Sequence, residues 1–556
     1  MRKKRILFCS EATFLNTGYA TYTREILNYL YGTNKYEIAE FASYGHAGGD
    51  DRAKDIPWKF YGASVPPNAP EAQQREFASN PANQFGQYFF ESVCLDFLPD
   101  IVCDIRDFWM LDFQERSPFR RFYKWCIMPT VDAAPQARQW VYTYANADAC
   151  LTYSDWAGEV LKKQSGGKIN YLGSAPPSAH PAYKPLGDKS EIKKYYGIDS
   201  SKKILGTVMR NQRRKLYPDL FKAFRIFLDS IEDNSNYLLY CHTSYPDMGW
   251  NIPELLQENN LSSKVLFTYV CPETNKPIPS FFNGASIVSP FTGKRNATLS
   301  NVRSGLSYEN LSEIINMFDI YLQYANCEGF GLPQVEAAAC AVPVMATDYS
   351  AMESVIRKLG GIPIKPKALY KEMETGCMRA VPDNELAASK LVEFFKMSDK
   401  EREDLGNLHR ENFLKYFQWH ISGSNWEKYF DSVEVDDLPP WFNEIQIRNP
   451  KSAQEIPTDK NPHEVSSWLI NNVLCDPSKI NSFFHMRLTQ DLLYGFSANQ
   501  TGGMYYNEDS AAFSLKNFEP FDYRNAYNGL IKLCMHHNHW EKQREIMVIN
   551  EMGINK

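Results

Sequence analysis

The stretch CEGFGLPQVEAAACAVPV, residues 327–344, carries two glutamates, Glu328 and Glu336, with two glycines and a proline between them. The segment before it, FDIYLQYAN (318–326), is rich in β-branched and aromatic residues and reads as a buried strand. Gly329 and Gly331 permit backbone angles that other residues resist, and let a ligand approach the chain closely. Pro333 suits a helix start, where its missing N–H costs nothing. A short helix over 333–341 follows, and PVMAT (343–347) reads as a second buried strand. The whole is one βαβ unit. Its helix start offers free N–H groups and a partial positive charge, which favour a phosphate. Glu336, one turn into the helix, is placed to accept hydrogen bonds from sugar hydroxyls. Glu328 sits at the C-terminal end of the strand, where ligands of open α/β sheets bind. Phosphate and polyhydroxyl together point to a nucleotide-sugar. Each residue alone has a plainer reading, as a dipole partner or a tight turn. Their coincidence in one unit carries the ligand reading.

The remaining sequence sets bounds. A chain of 556 residues fits two to four domains, and 44% hydrophobic residues allow large cores. A net charge of −6 gives no global drive toward nucleic acid or anionic membrane. Twelve scattered cysteines argue against a disulfide framework and for a reducing, cytoplasmic compartment. The opening MRKKRILFCSEATF has too short an apolar run for a signal peptide, and no stretch is long enough to span a membrane.

Residues 1–197 read as one α/β domain. Its strands are expected at 5–10, 100–105, 125–131, 149–154 and 169–173, with a helix in TYTREILNYLY. A second α/β domain is expected over 198–433. It has strands in KKILGTVMR, NYLLYCHTS and KVLFTYV, then the βαβ unit, helices near 383–397 and 399–416, and a closing helix or helix pair in 416–433. Between these strands lies an insertion, 271–304, with the rhythm of two zinc knuckles. It offers only Cys271 of four expected ligands, so it reads as a metal-free loop, with a degenerated zinc ribbon as the alternative. Residues 434–556 begin as a Pro-rich, charged linker and continue as a mainly helical accessory region. Adjacent histidines in its CMHHNHW (534–540) cannot all face one ion, so a solvated helix face is expected there, and no metal.

Two doubly wound domains, the Glu-x7-Glu unit in the second and a glycine loop after the first strand of the first resemble the retaining, family-four type of GT-B glycosyltransferase (glycosyltransferases group 1). The resemblance spans residues 1–433. It implies the GT-B fold: two Rossmann-like domains facing a cleft, here with a helical C-terminal extension. It also implies roles. The loop NTGYATYT supplies Gly18, where the backbone approaches the donor phosphates, although the family usually has two glycines there. MRNQRRK supplies Arg210 and Lys215, aimed at the diphosphate; cations at a strand end can neutralise a departing diphosphate without a metal. Glu336 grips the ribose and Glu328 contacts the donor sugar, while the amides of Gly329, Phe330, Gly331 and Leu332 touch sugar hydroxyls and phosphate. Many relatives carry a histidine near the reacting carbon. Here TVDAAP and RDFWML offer Asp132 and Asp107 instead, so Asp132, Asp107 and Glu328 are the catalytic candidates. The plain alternative for Asp107 is a strand-end cap.

The implied reaction takes the sugar of a UDP-glucose-like donor to an acceptor hydroxyl with retention, with no cofactor beyond that co-substrate. The rivals are a catalytically silent sugar-nucleotide-binding module and a phosphorylase-like enzyme. The four polar residues together argue against the first. The second needs a pyridoxal phosphate lysine that the sequence does not offer. Aromatic richness, the insertion and the tail resemble virus-encoded relatives, some of which glucosylate hydroxymethylated phage DNA. FQERSPFRRFYK (113–124) places Arg116, Arg120, Arg121 and Lys124 beside aromatics, as a phosphate-contacting surface would. Modified DNA is therefore the expected acceptor, with a glycan, a protein or a small molecule as the alternatives.

Overall fold

The computed structural model describes residues 2–120, 122–301 and 305–435, and beyond these 444–448, 456–457, 460, 462–480, 485, 488–489, 504–507, 512–515 and 524–551. The first sheet contains β1 (Lys4–Glu11), β2 (Tyr36–His46), β3 (Lys59–Ser64), β4 (Ile101–Asp104), β5 (Lys124–Ile127), β6 (Ala149–Thr152) and β7 (Tyr171–Ser174). All its pairings are parallel and its order is β3-β2-β1-β4-β5-β6-β7. The order reverses between β1 and β4, and such a switch point opens a crevice at the strands' C-terminal ends. β1 is the centre, with Ile6, Leu7, Phe8 and Cys9 fully buried, as parallel strands covered on both faces require.

The helices of this half are α1 (Gly18–Thr33), α2 (Glu71–Ala78), α3 (Phe90–Phe97), α4 (Phe108–Glu115), α5 (Arg138–Ala145), α6 (Asp155–Gln164) and α7 (Lys189–Tyr195). In α1, Tyr22, Ile26, Leu27 and Leu30 recur at helical spacing and are buried, while Thr17 caps the start by accepting from the Ala20 amide at 3.2 Å.

The second sheet contains β8 (Lys203–Val208), β9 (Tyr237–His242), β10 (Val265–Val270), β11 (Pro277–Phe281), β12 (Ser286–Ile287), β13 (Ala297–Leu299), β14 (Ile320–Gln323), β15 (Val344–Thr347) and β16 (Ile362–Ile364). Its parallel part runs β10-β9-β8-β14-β15-β16, with the switch between β8 and β14. A separate antiparallel hairpin joins β17 (Pro366–Lys371) to β18 (Met378–Pro382). The helices here are α8 (Tyr217–Asp229), α9 (Ile252–Glu258), α10 (Tyr308–Asn316), α11 (Leu332–Ala339), α12 (Ala351–Leu359), α13 (Asn384–Lys396), α14 (Asp399–Tyr416) and α15 (Trp419–Ser432).

Three readings change. The insertion is not a plain loop and fits the degenerated-ribbon alternative better: β11 and β13 pair antiparallel with β10, and β12 pairs antiparallel with β13. Its two knuckle turns do repeat one geometry, the Cys271 amide donating to Lys276 O at 3.1 Å and the Ser289 amide to Lys294 O at 2.8 Å. Hydroxyls stand where thiolates would bind zinc, and hydrogen bonds from Ser289 and Thr274 hold the Cys271 thiol down at about 7. Second, α15 packs on the first sheet's side, its Trp426 donating to Tyr22 Oη at 3.0 Å and its Asn425 to Ser174 O at 2.8 Å. Third, the CMHHNHW segment is not a solvated face. It lies in the C-terminal helix Arg524–Glu551, which docks on the first domain. Trp540 stacks on Phe122 (4.7 Å between centroids, 6° between planes), and His537 packs on the same ring at 5.3 Å. Among the described residues no cluster of three or more His, Cys, Asp or Glu could hold a metal, and no helix is long and apolar enough to cross a membrane.

Candidate active site

The two switch points face each other, and the candidate residues line the gap between them. On the second domain, β14 delivers the chain to Glu328. Gly331 then takes φ +85°, the left-handed turn that admits glycine, and caps α11 without a side chain. Pro333 lies in the first turn of α11. The Gln334 amide side chain ties the loop from below, donating to Phe330 O at 3.3 Å and Gly331 O at 3.2 Å.

Glu328 is buried and accepts from three side chains. Arg214 reaches one oxygen at 2.5 Å, and Gln323 reaches the other at 3.0 Å, where it is joined by the Lys215 ammonium. Its own amide donates to Ser350 Oγ at 2.9 Å. Burial, with Arg214 alongside, pulls the Lys215 ammonium well below its usual range. Arg210 goes elsewhere. Its guanidinium grips Asp247 through two bonds of 2.8 and 3.0 Å, holding that carboxyl down at about 2. The structure therefore sets Arg214 and Lys215 against Glu328 and leaves Arg210 at the rim. Arg214 was hidden in the run RNQRRK, where spacing alone does not say which arginine turns inward.

Glu336 is 7% exposed, and burial raises its carboxyl to about 7, partly offset by a hydrogen bond from the Tyr183 hydroxyl. Tyr183 comes from the segment after β7, so no local pattern marks it.

On the first domain, the ends of β1, β4 and β5 bring together Glu11, Tyr19, Asp107, Thr130 and Asp132. Tyr19 Oη and Thr130 Oγ1 lie 2.6 Å apart, and both hydroxyls reach Asp107. Asp107 occupies the N-cap position of α4, yet its carboxylate makes no capping bond. Burial raises its pKa, and the charges of Asp132 and Glu11 add to the rise. Gly18, first residue of α1, faces open space: a Cβ there would meet nothing within 4 Å.

Asp132 is held from across the gap. Arg379 of β18 donates to it at 3.0 Å, and the Cys327 thiol donates to the same oxygen at 3.3 Å. Arg379 also donates to Glu372 at 2.7 Å. The hairpin is further pinned by the Met378 amide on Ala134 O at 2.8 Å. Gly329 meets the first domain as well: a Cβ there would stand 2.7 Å from Thr130 Cγ2. The gap is thus closed at Gly329 and at Arg379, two contacts that the sequence could not reveal.

Residues 300–406 match the family model described as glycosyl transferases group 1. This segment is a group 1 glycosyltransferase segment. A curated relative, N-acetyl-alpha-D-glucosaminyl L-malate synthase of Bacillus anthracis, is 24% identical over 250 residues, 45% of this chain and 51% of that protein. The chain thus spans about half the length of the curated relative it matches. Among solved structures, sucrose-phosphate synthase from Thermosynechococcus elongatus aligns with a TM-score of 0.55 at 14% identity, covering 77% of this chain and 98% of that one. HepE of Anabaena, solved with UDP and glucose, aligns at 0.52 and 11%, covering 77% and 100%. An E. coli trehalose-6-phosphate structure bound with UDP-2-fluoro glucose aligns at 0.52 and 13%, covering 78% and 100%. These likenesses establish the fold as GT-B, with the group 1 segment running from the insertion's end through the Glu328–Glu336 unit to α14.

Proposed function

We propose that the protein is a nucleotide-sugar-dependent glycosyltransferase that moves a sugar from a UDP-sugar to an acceptor hydroxyl with retention of configuration. The observation that carries this reading is the opposition across one closed gap of a phosphate-ready helix start and two carboxylates. The start of α11, with Lys215 and Arg214, faces the Asp107–Thr130–Tyr19 cluster. In this reading the diphosphate sits at the α11 start, where its oxygens compete with Glu328 for Lys215 and Arg214. These cations stabilise the charge that develops as the sugar–phosphate bond breaks. Glu336 accepts from the ribose hydroxyls, Glu328 contacts the donor sugar, and Gly18 leaves room for the phosphates. UDP and sugar bound to two neighbours of the same fold support the donor class.

The two aspartates divide the acceptor chemistry. Asp132, paired with Arg379, is a fixed anion that orients the acceptor. Asp107, raised by burial and free of a cationic partner among its contacts, is the better proton acceptor for the attacking hydroxyl.

For the acceptor, the DNA reading loses its surface. Arg120 is buried against Asp148 at 2.8 Å, Arg116 pairs with Asp112 at 3.0 Å, and Lys124 lies 3.4 Å from Asp148. Phe119 and Phe122 lie under the C-terminal helix, and Arg121 falls outside the described residues. A hydroxyl of a glycan, a protein or a small molecule is therefore favoured over hydroxymethylated DNA. The test is UDP release from UDP-sugars, measured with each acceptor class in turn. Release stimulated by a saccharide or protein supports the reading, and release stimulated only by hydroxymethylated duplex DNA restores the other acceptor. No release and no UDP binding would leave a silent module.

A further inference from the structure

In a parallel sheet the helix after each strand starts at the strand's C-terminal edge. The helices α4 and α5 therefore both begin at the gap, one after Asp107 and the other after the Asp132 loop. Each carries a tryptophan in its first turn. Trp109 is 52% exposed, so among the described residues its indole is only half covered. Trp140 stands 6.2 Å from it, inclined at 62°, and stacks on Phe108 at 5.4 Å and 22°. The three rings form one aromatic wall at the starts of α4 and α5, the helices that follow the two aspartate-bearing loops. Beneath it Tyr144, 1% exposed, packs 6.0 Å from Phe108. Its hydroxyl has no hydrogen-bond partner among the described residues and lies within the fields of Asp107 and Asp132. A buried hydroxyl left without a partner is uncommon and costly.

We propose that Trp109 and Trp140 form a ring-binding subsite for the acceptor, and that the ring it takes is an uncharged sugar. The proposal rests on the glycosyltransferase reading. A pyranose has an apolar C–H face that lies flat on an indole, while its rim of hydroxyls is free to bond the carboxylates of the two loops. The carboxylates gathered here disfavour a phosphate-bearing acceptor. Glu11, Asp107 and Asp132 gather on this side, and Asp107 already feels the other two. Of the nearby cations, Arg379 is committed to Asp132 and Glu372, and Arg138 is exposed at the start of α5. An anion there would meet like charge at short range.

The test uses the full chain saturated with UDP. Binding of glucose, maltose, cellobiose and N-acetylglucosamine is followed by saturation-transfer NMR and compared with glucose 6-phosphate and a hydroxymethylated oligonucleotide. Expected are binding of a neutral saccharide to the wild type, weakened about tenfold or more in Trp109→Ala and Trp140→Ala, and retention of most of it in Trp109→Phe. UDP affinity should stay within about twofold throughout, which separates loss of the subsite from loss of the fold. Tighter binding of the phosphate or the oligonucleotide would overturn the proposal, as would saccharide binding unchanged in both alanine variants. UDP binding without any saccharide binding overturns it alone. Absence of UDP binding in the wild type brings down the glycosyltransferase reading beneath it.

Discussion

Glu336 and Gly329 carry opposite demands at the scale of single residues. Burial lifts the Glu336 carboxyl from 4.5 to about 7. Between those values the unfolded chain has released a proton that the folded chain still holds, so this group's contribution to stability falls as pH rises through that window. Glu336→Gln should therefore melt above the wild type at pH 8, by about a few degrees, with the gap closing near pH 4.5. In the same window the ionised carboxylate is the better acceptor for ribose hydroxyls. Donor affinity should thus strengthen from pH 6 to pH 8 in the wild type and stay flat in Glu336→Gln, as read by titration calorimetry. Gly329 is demanded by a neighbour rather than by its own backbone, because a Cβ would stand 2.7 Å from Thr130 Cγ2. Gly329→Ala should lower turnover about a hundredfold by holding the gap open. Thr130→Ser deletes that methyl while keeping the hydroxyl that meets Tyr19, so the double variant should recover most of the loss. Loss in the double variant equal to that in Gly329→Ala would show that the methyl is not the obstacle.

At the scale of elements, the β17–β18 hairpin and the C-terminal helix were the parts least visible in advance. The hairpin is short and exposed on most of β17, so it presents no apolar run, yet its Arg379 ties Asp132 to the opposite domain. Arg379→Gln should reduce turnover about tenfold or more while leaving UDP affinity unchanged, and Arg379→Lys should restore part of it; equal losses in turnover and UDP affinity would mean a general structural role. The C-terminal helix buries Trp540 against Phe122 and Phe119. Trp540→Ala should cost about 3 kcal/mol in urea unfolding of the first domain. What sequence does disclose is instructive. β1, β8, β14 and β15 were legible because each holds a short apolar stretch free of charged residues. β2 was not, because it buries Glu40, which accepts from Thr13 and Trp58, and a carboxylate in mid-strand breaks the run that marks a core strand. Likewise Glu328, Gly331 and Glu336 sit in one contiguous stretch and could be read together. Arg214, Tyr183, Thr130 and Arg379 meet them only through tertiary contacts, which no spacing encodes.

At the scale of the whole molecule, one parallel sheet and one mixed sheet with a parallel core have matching switch points and are joined by α15 crossing back to the first and by contacts across the gap. The C-terminal helix covers Phe119 and Phe122 in the segment that would otherwise offer a basic surface beside aromatics. Binding to unmodified duplex DNA should accordingly be weak at physiological salt, as a filter-binding series would show; tight binding with a steep salt dependence would reopen the DNA acceptor. The central claim is that the second domain holds a nucleotide-sugar at the α11 start, between Lys215 and Glu336. The measurement that tests it most directly is calorimetric titration of UDP into the wild type, Lys215→Ala and Glu336→Ala, each checked for folding by its melting curve. The account predicts one site per chain in the wild type and a loss of about tenfold or more in each variant. Equal affinity in all three folded proteins, or no UDP binding by the wild type, would contradict it.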